Sequence, residues 1–141
     1  MLVISSLIVG CIDNTNKNNL SDEQKLIGTW NFKNNLIEIK FIFNQDGSGT
    51  FTHSDFGKYY FKYQLFQNKK YVCTSIDCTK KENRECNNGS CNFYKIHSRV
   101  IEFSDIKPNT GGMWIEEKSD YEFINDKILI ILGMSFDKSW W

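Results

Sequence analysis

The sequence has little of several features that mark common functional classes. It contains 1 proline and 2 histidines, and its 17 basic residues balance 17 acidic ones to a formal net charge of zero. Bulk charge therefore does not draw the chain to nucleic acid or to an anionic membrane, and we expect no nucleic-acid partner. The apolar run at residues 2–9 is far too short to cross a bilayer as a helix, which needs roughly 20 residues.

Aromatic residues, in contrast, are abundant. The chain has 11 Phe, 6 Tyr and 4 Trp, and aromatic side chains pack well on the pleated surface of a sheet. With 141 residues, it has the length of one domain with one hydrophobic core. We therefore expect an all-β domain.

The first eleven residues indicate where the protein is located. The sequence Ile8-Val9-Gly10-Cys11 resembles the lipobox of secreted lipoproteins. This resemblance implies a signal peptide at residues 1–10, a lipid on Cys11 and a location on the outer face of the cell membrane. Residues 11–20 would then form a polar tether and residues 21–141 the domain. The alternative is a frayed apolar N-terminus that packs on the domain, or a buried Cys11.

The first half of the domain has clear signals for local structure. Ser21 followed by Gln24 predicts a capping box and a short helix, which Gly28 should end. Residues 37–44 alternate between apolar and polar side chains, which predicts a half-buried strand. A turn is expected at residues 44–49, and further strands at 50–52 and 59–65.

The second half is predicted from turn residues and short apolar segments. A turn at residues 68–70 is expected to lead into a cysteine-bearing excursion at residues 73–91. Strands are then expected at 93–96, 100–103 and 113–115, with a loop at 108–112. A last hairpin covers residues 121–132, and Gly133 permits a bend. Eight to ten short strands at this spacing are typical of a meander that closes into a barrel or sandwich.

One motif links this pattern to a known family. Gly28-Thr29-Trp30, after a short helix, resembles the Gly-x-Trp opening of lipocalins and fatty-acid-binding proteins. Residues 37–52 resemble the first hairpin of bacterial and archaeal lipocalin-like lipoproteins of unassigned function. The resemblance implies a small antiparallel meander barrel of about eight short strands with a short N-terminal helix. It also implies that Trp30 plugs one end of the barrel and that a basic residue, here Lys138, covers its ring.

The interior of such a barrel is predicted from the inward positions of the first strands. A barrel of this size is only just wide enough to be filled by its own side chains, so these residues either fill it or line a ligand cavity. The candidates are Trp30, Ile37, Ile39, Phe41, Phe43, Phe51, Tyr59, Phe61 and Tyr63.

Four cysteines besides Cys11 lie in the central excursion, and four cysteines allow three disulfide pairings. Their symmetrical spacing favours Cys73–Cys91 and Cys78–Cys86, with a turn around Glu82. The excursion is too polar to fold by burial, so disulfides are its expected source of order. The alternative is a zinc site made by the four cysteines, which would suit a reducing compartment.

Other candidate sites have weak signals. Asn88-Gly89-Ser90 matches the acceptor pattern for N-glycosylation, although a simple turn explains it better. His53 lies next to Ser54 and Asp55, but neighbours in sequence do not form a catalytic triad. Asp46 begins a segment without the length of an EF-hand loop. We therefore predict no catalytic residues, no metal and no cofactor.

The sequence favours a non-enzymatic binding or interaction lipoprotein at the cell surface. Its partners would be the membrane, through the lipid on Cys11, and a small apolar ligand or an envelope protein. Two alternatives belong to other classes. One is a structural envelope lipoprotein without a ligand, and the other is a zinc-dependent interaction module in a reducing compartment.

Overall fold

The computed structural model describes residues 20–73, 84–108 and 117–139. Helix α1 (Asp22–Leu26) begins with the predicted capping box. The backbone N–H of Gln24 donates to Ser21 Oγ at 3.2 Å, and the backbone N–H of Ser21 donates to Gln24 Oε1 at 3.0 Å. The helix is capped by Ile27, immediately before Gly28. Both the start and the shortness of this helix are confirmed.

Nine antiparallel strands account for most of the other described residues. They are β1 (Gly28–Lys33), β2 (Glu38–Phe43), β3 (Ser48–His53), β4 (Gly57–Val72), β5 (Arg84–Asn87), β6 (Ser90–Lys107), β7 (Lys118–Asn125), β8 (Ile128–Ile131) and β9 (Met134–Ser139). Eight of them close into a barrel in the order β1, β2, β3, β4, β6, β7, β8, β9 and back to β1. The predicted all-β meander barrel is therefore confirmed.

The connections alternate between the two ends of the barrel because neighbouring strands run in opposite directions. The end that carries α1, the turn at residues 44–47 and the turn at residues 126–127 is called the helix end. The opposite end, called the far end, carries the turns at residues 34–37, 54–56 and 132–133.

Strands β4 and β6 are much longer than their neighbours and pair from Tyr60↔Lys107 to Val72↔Tyr94. The predicted turn at residues 68–70 is wrong, because β4 continues through them, although Asn68 has a φ of 52°. The two strands predicted at 93–96 and 100–103 are one strand, β6. Continuous pairing between β4 and β6 supplies hydrogen bonds that outweigh the local turn preference.

The distal halves of β4 and β6, with β5, form a ribbon that bends back onto the outside of the barrel. Glu102 lies opposite Gln64, and a straight strand would carry Tyr71, seven positions further on (71 − 64), roughly 23 Å away. Tyr71 Oη nevertheless donates to Glu102 Oε1 at 3.0 Å. The ribbon must therefore bend, and Asn68 has the left-handed backbone conformation that such a bend requires.

Candidate functional site

The barrel interior is filled by aromatic side chains. Phe41 has no exposed surface, and the centroid of its ring lies 4.7 Å from that of Phe51 and 5.3 Å from that of Phe136. Phe61 meets Phe103 edge to face at 5.0 Å. Such contacts between rings add to the free energy of burial. The middle of the barrel is therefore packed core.

Most of the residues predicted for the interior are buried. Ile37 and Tyr63 are partly buried and pack against the core. The other seven are 7% exposed or less: Trp30, Ile39, Phe41, Phe43, Phe51, Tyr59 and Phe61. The core residues of the second half of the chain are not among those predicted. Alternation is hidden in β8, where Leu129 and Ile131 are buried but their neighbours are apolar too.

Trp30 closes the helix end. Its ring is fully buried, and its Nε1–H donates to the carbonyl of Leu26 at 2.8 Å. Lys138 Nζ lies 5.2 Å from the centroid of the Trp30 ring and donates to the carbonyl of Lys25 at 2.9 Å. Burial lowers the pKa of Lys138. The contact that the resemblance implied between Lys138 and Trp30 is present.

The glycine of the Gly-x-Trp motif has a physical role beside this contact. Gly28 has a φ of +129°, a conformation that other residues rarely adopt. A Cβ atom at this position would lie 3.0 Å from Lys138 Cε. Because Gly28 has no Cβ atom, the Lys138 side chain can pass over the backbone there and reach the Trp30 ring.

Asp22 fastens α1 to the barrel. It is 8% exposed, and its Oδ2 accepts from Tyr121 Oη at 2.8 Å and from Gln67 Nε2 at 3.4 Å. Arg99 Nε lies 3.3 Å from the same oxygen. Burial and the hydrogen bond to Asp22 raise the pKa of Tyr121 well above its ordinary value. Nothing in the sequence pattern indicated this cluster, because its members come from four different elements.

A cavity of about 900 Å³, called the far-end cavity, is lined by residues of the far-end turns and by residues of β6, β7 and β8. Its apolar lining residues are Ile37, Ile39, Phe56, Val100, Ile130, Leu132 and Met134. Its polar lining residues are His53, His97, Lys118, Ser119 and Asp120. Ile37 and Ile39 are the members of the predicted interior that reach it. The cavity has the size and the mainly apolar lining of small-molecule sites.

Both histidines of the chain line this cavity. His53 is 6% exposed, and its Nδ1 accepts from the backbone N–H of Asp55 at 3.0 Å. His97 Nδ1 lies 2.6 Å from Asp120 Oδ1 and joins β6 to β7. Ser54 Oγ accepts from the backbone N–H of Glu38 at 3.0 Å. These contacts hold the turns and strands at the rim of the cavity.

The ribbon carries a polar network next to the cavity. Glu102 accepts from Lys69 Nζ at 3.0 Å and from Tyr71 Oη. Lys118 Nζ lies 3.8 Å from the centroid of the Tyr71 ring, within the range of a cation–π interaction. Burial and the bond to Glu102 raise the pKa of Tyr71 to about 12.

The predicted pairing of the central cysteines is wrong. Cys86 is bonded to Cys91, and Cys73 is also disulfide-bonded. The chain turns at Asn88-Gly89, and both turn residues have positive φ, 52° and 81°. Asn-Gly favours such two-residue hairpin turns. This turn places Cys86 directly opposite Cys91 in the β5–β6 ladder. Glu82, where a turn was predicted, lies outside the described residues.

Asn88 is exposed at the tip of this hairpin, so the simple turn is confirmed, while glycosylation stays a prediction. Several other predictions fall outside the described residues. They are the signal peptide, the lipid on Cys11, the tether to residue 19, Cys78, the strand at residues 113–115 and most of the loop at 108–112.

Within residues 20–73, 84–108 and 117–139, no group of three or more His, Cys, Asp and Glu side chains is placed to hold a metal ion. The same residues contain no helix long and apolar enough to span a membrane. The chain has no match among protein-family models, among curated proteins or among solved structures. The eight-stranded antiparallel barrel is consistent with a lipocalin-like barrel.

Proposed function

We propose that this protein is a non-enzymatic, surface-tethered binding lipoprotein of lipocalin-like type that holds a small apolar ligand in the far-end cavity. The observation that carries the proposal is a closed barrel with Trp30 at one end and a cavity of about 900 Å³ beside the far-end turns. Small-molecule sites are typically concave, mostly apolar and largely preformed.

The packed core supports the far-end cavity as the ligand site. Phe41, Phe51 and Phe61 occupy the centre of the barrel, so the proposed site is the far-end cavity and not the centre. There, Ile37 and Met134 offer apolar surface, while His97 and Lys118 offer polar groups. A ligand of mainly apolar character with one polar group would match this lining.

In this proposal a lipid on Cys11 tethers the protein, as the resemblance to the lipobox implies. A lipid chain and a polar linker would hold the barrel at the outer face of the membrane. Intact mass of the protein extracted from its membrane tests this part. A lipid-bearing N-terminus at Cys11 supports it, and an unlipidated chain that retains residues 1–10 contradicts it.

Dye binding to two matched variants tests the cavity. Leu36 and Ile37 are adjacent in one far-end turn, and both backbone N–H groups donate to Asn34 Oδ1 at 2.8 Å. Ile37 lines the cavity, whereas Leu36 is 86% exposed. In Ile37→Trp the larger side chain should fill part of the cavity and weaken the binding of a neutral naphthylamine dye at least about tenfold. Leu36→Trp should leave the affinity unchanged.

Equal affinities in the two variants, or no binding of any neutral apolar dye by the parent protein, would contradict the proposal. The second outcome would favour a structural envelope lipoprotein, for which the packed aromatic core is the supporting observation. A zinc module is less favoured, because Cys86 and Cys91 are bonded to each other and not available as thiolate ligands.

A further inference from the structure

The disulfide between Cys86 and Cys91 has one feature that a purely structural disulfide does not need. Both cysteines are exposed, and Arg84 Nη2 donates to Cys91 Sγ at 3.1 Å. The neighbouring carboxylate, Glu85, forms an ion pair with Lys70. Among the described residues, no carboxylate lies within salt-bridge distance of Arg84. The guanidinium is thus directed at one of the two sulfurs.

This contact makes the two sulfurs chemically unequal. A hydrogen bond from a cation to sulfur strengthens when the sulfur becomes a thiolate, because the acceptor then carries a full negative charge. A neighbouring arginine thereby favours the thiolate form of cysteine. In thiol–disulfide exchange, the sulfur that is the more stable thiolate leaves faster. Cys91 Sγ is therefore the better leaving group of the pair.

The hairpin does not depend on the disulfide for its shape. Asn88 and Gly89 form a two-residue turn that suits the twist of the strands. Backbone pairing extends on both sides of the disulfide, from Arg84↔Phe93 to Asn87↔Ser90. Opening the bond therefore leaves the two sulfurs opposite each other, ready to be oxidised again.

We propose that Cys86–Cys91 is a thiol–disulfide exchange site that reacts with thiols or dithiols outside the membrane. The thiolate of the reductant attacks Cys86 Sγ, a new S–S bond forms there, and the bond to Cys91 breaks. The electron pair stays on Cys91 Sγ, next to Arg84. A second thiolate then attacks the sulfur of the reductant in the mixed disulfide, and Cys86 leaves as a thiolate and takes up a proton. The protein gains two electrons, and the reductant is oxidised to its disulfide.

The position of the mixed disulfide tests this directly. The full-length protein is treated with reduced glutathione, quenched with N-ethylmaleimide and mapped by peptide mass spectrometry. Glutathione should be found on Cys86 and maleimide on Cys91. Arg84→Gln should raise the pKa of the leaving Cys91 thiol. Because Brønsted slopes for this exchange are near 0.5, the reaction should slow about threefold. The preference for Cys86 should also be lost. Arg84→Lys, which keeps the charge, should retain part of both effects.

Lys95→Gln is the matched control, since Lys95 is an exposed cation of the same ribbon and should change neither rate nor position. Near-ultraviolet circular dichroism of each variant verifies that the fold is retained. Glutathione found equally on both cysteines, or mainly on Cys91, would overturn the proposal. An unchanged rate in Arg84→Gln would also overturn it. The ligand cavity plays no part in this test, so its outcome is independent of the proposed function.

Discussion

Replacing Phe41 with alanine tests whether the centre of the barrel is packed core or lines a cavity. The side chain has no exposed surface and lies on β2, between β1 and β3. Its ring centroid lies 4.7 Å from that of Phe51, 5.3 Å from that of Phe136 and 6.0 Å from that of Phe61. Truncation removes all of these contacts at once.

The expected cost follows from burial and from the cavity that the change leaves. Removing a fully buried phenylalanine costs about 3–5 kcal/mol, because the surroundings relax only partly around the space. The lost ring–ring contacts place Phe41→Ala in the upper part of that range. Since the total stability of a domain is about 5–15 kcal/mol, the variant should be close to unfolding under mild conditions.

Urea denaturation followed by tryptophan fluorescence measures the change in the free energy of unfolding. Phe56→Ala is the control, because Phe56 is 55% exposed and should cost less than about 1 kcal/mol. A loss below about 1.5 kcal/mol in Phe41→Ala would refute the reasoning. It would mean that Phe41 lines empty or ligand-filled space, and that the ligand site extends into the barrel.

Three further predictions concern β3 and the ribbon. A Cβ atom at Gly49 would lie 2.5 Å from the ring of Phe61 and 2.6 Å from the carbonyl oxygen of Ile42, so Gly49→Ala should lower the free energy of unfolding by about 1–3 kcal/mol. Its neighbour Thr50 has the one buried side-chain oxygen that lacks a hydrogen-bond partner among the described residues. Thr50→Val should therefore be neutral or stabilising in the same denaturation assay. A loss of unfolding free energy as large as that of Gly49→Ala would contradict this account. The pKa of Tyr71 is raised to about 12 in the folded protein, so its contribution to stability is present below pH 10 and lost as the pH rises through about 12. Tyrosinate absorbance of Tyr71→Phe should lack the component that titrates near pH 12, and loss of a component near pH 10 instead would show that Tyr71 is not held by Glu102.

Local patterns in the sequence were sufficient to predict the secondary structure of the first half of the domain. The capping box at Ser21, the alternation along β2 and the turn before β3 each depend on residues within a few positions of one another. One face of each of these strands is buried and the other is not, so the period-two signal is clear. The position of Trp30 at one end of the barrel was implied by the resemblance of the Gly-x-Trp motif to that of lipocalins.

The hairpin that contains Cys86 and Cys91 shows why the structure of the second half was harder to predict from the sequence. Spacing alone allowed three pairings, and symmetry favoured a turn near Glu82. The decisive signal was the Asn88-Gly89 dipeptide, which sets a two-residue turn and puts Cys86 opposite Cys91. In the same way, Asn68 looked like a turn residue, yet it lies within β4 because β6 pairs with both sides of it.

The sequence by itself determined the strand-rich class, the short capped helix and the inward faces of the first strands, because these depend on composition and near neighbours. Only the tertiary structure decided where the far-end cavity lies, since the core rings meet across the barrel and fill its centre. It also decided the contacts of Asp22 with Tyr121 and of Arg84 with Cys91. Such contacts depend on register and on a bend in a ribbon, and a shift of one residue in register would turn each side chain to the opposite face.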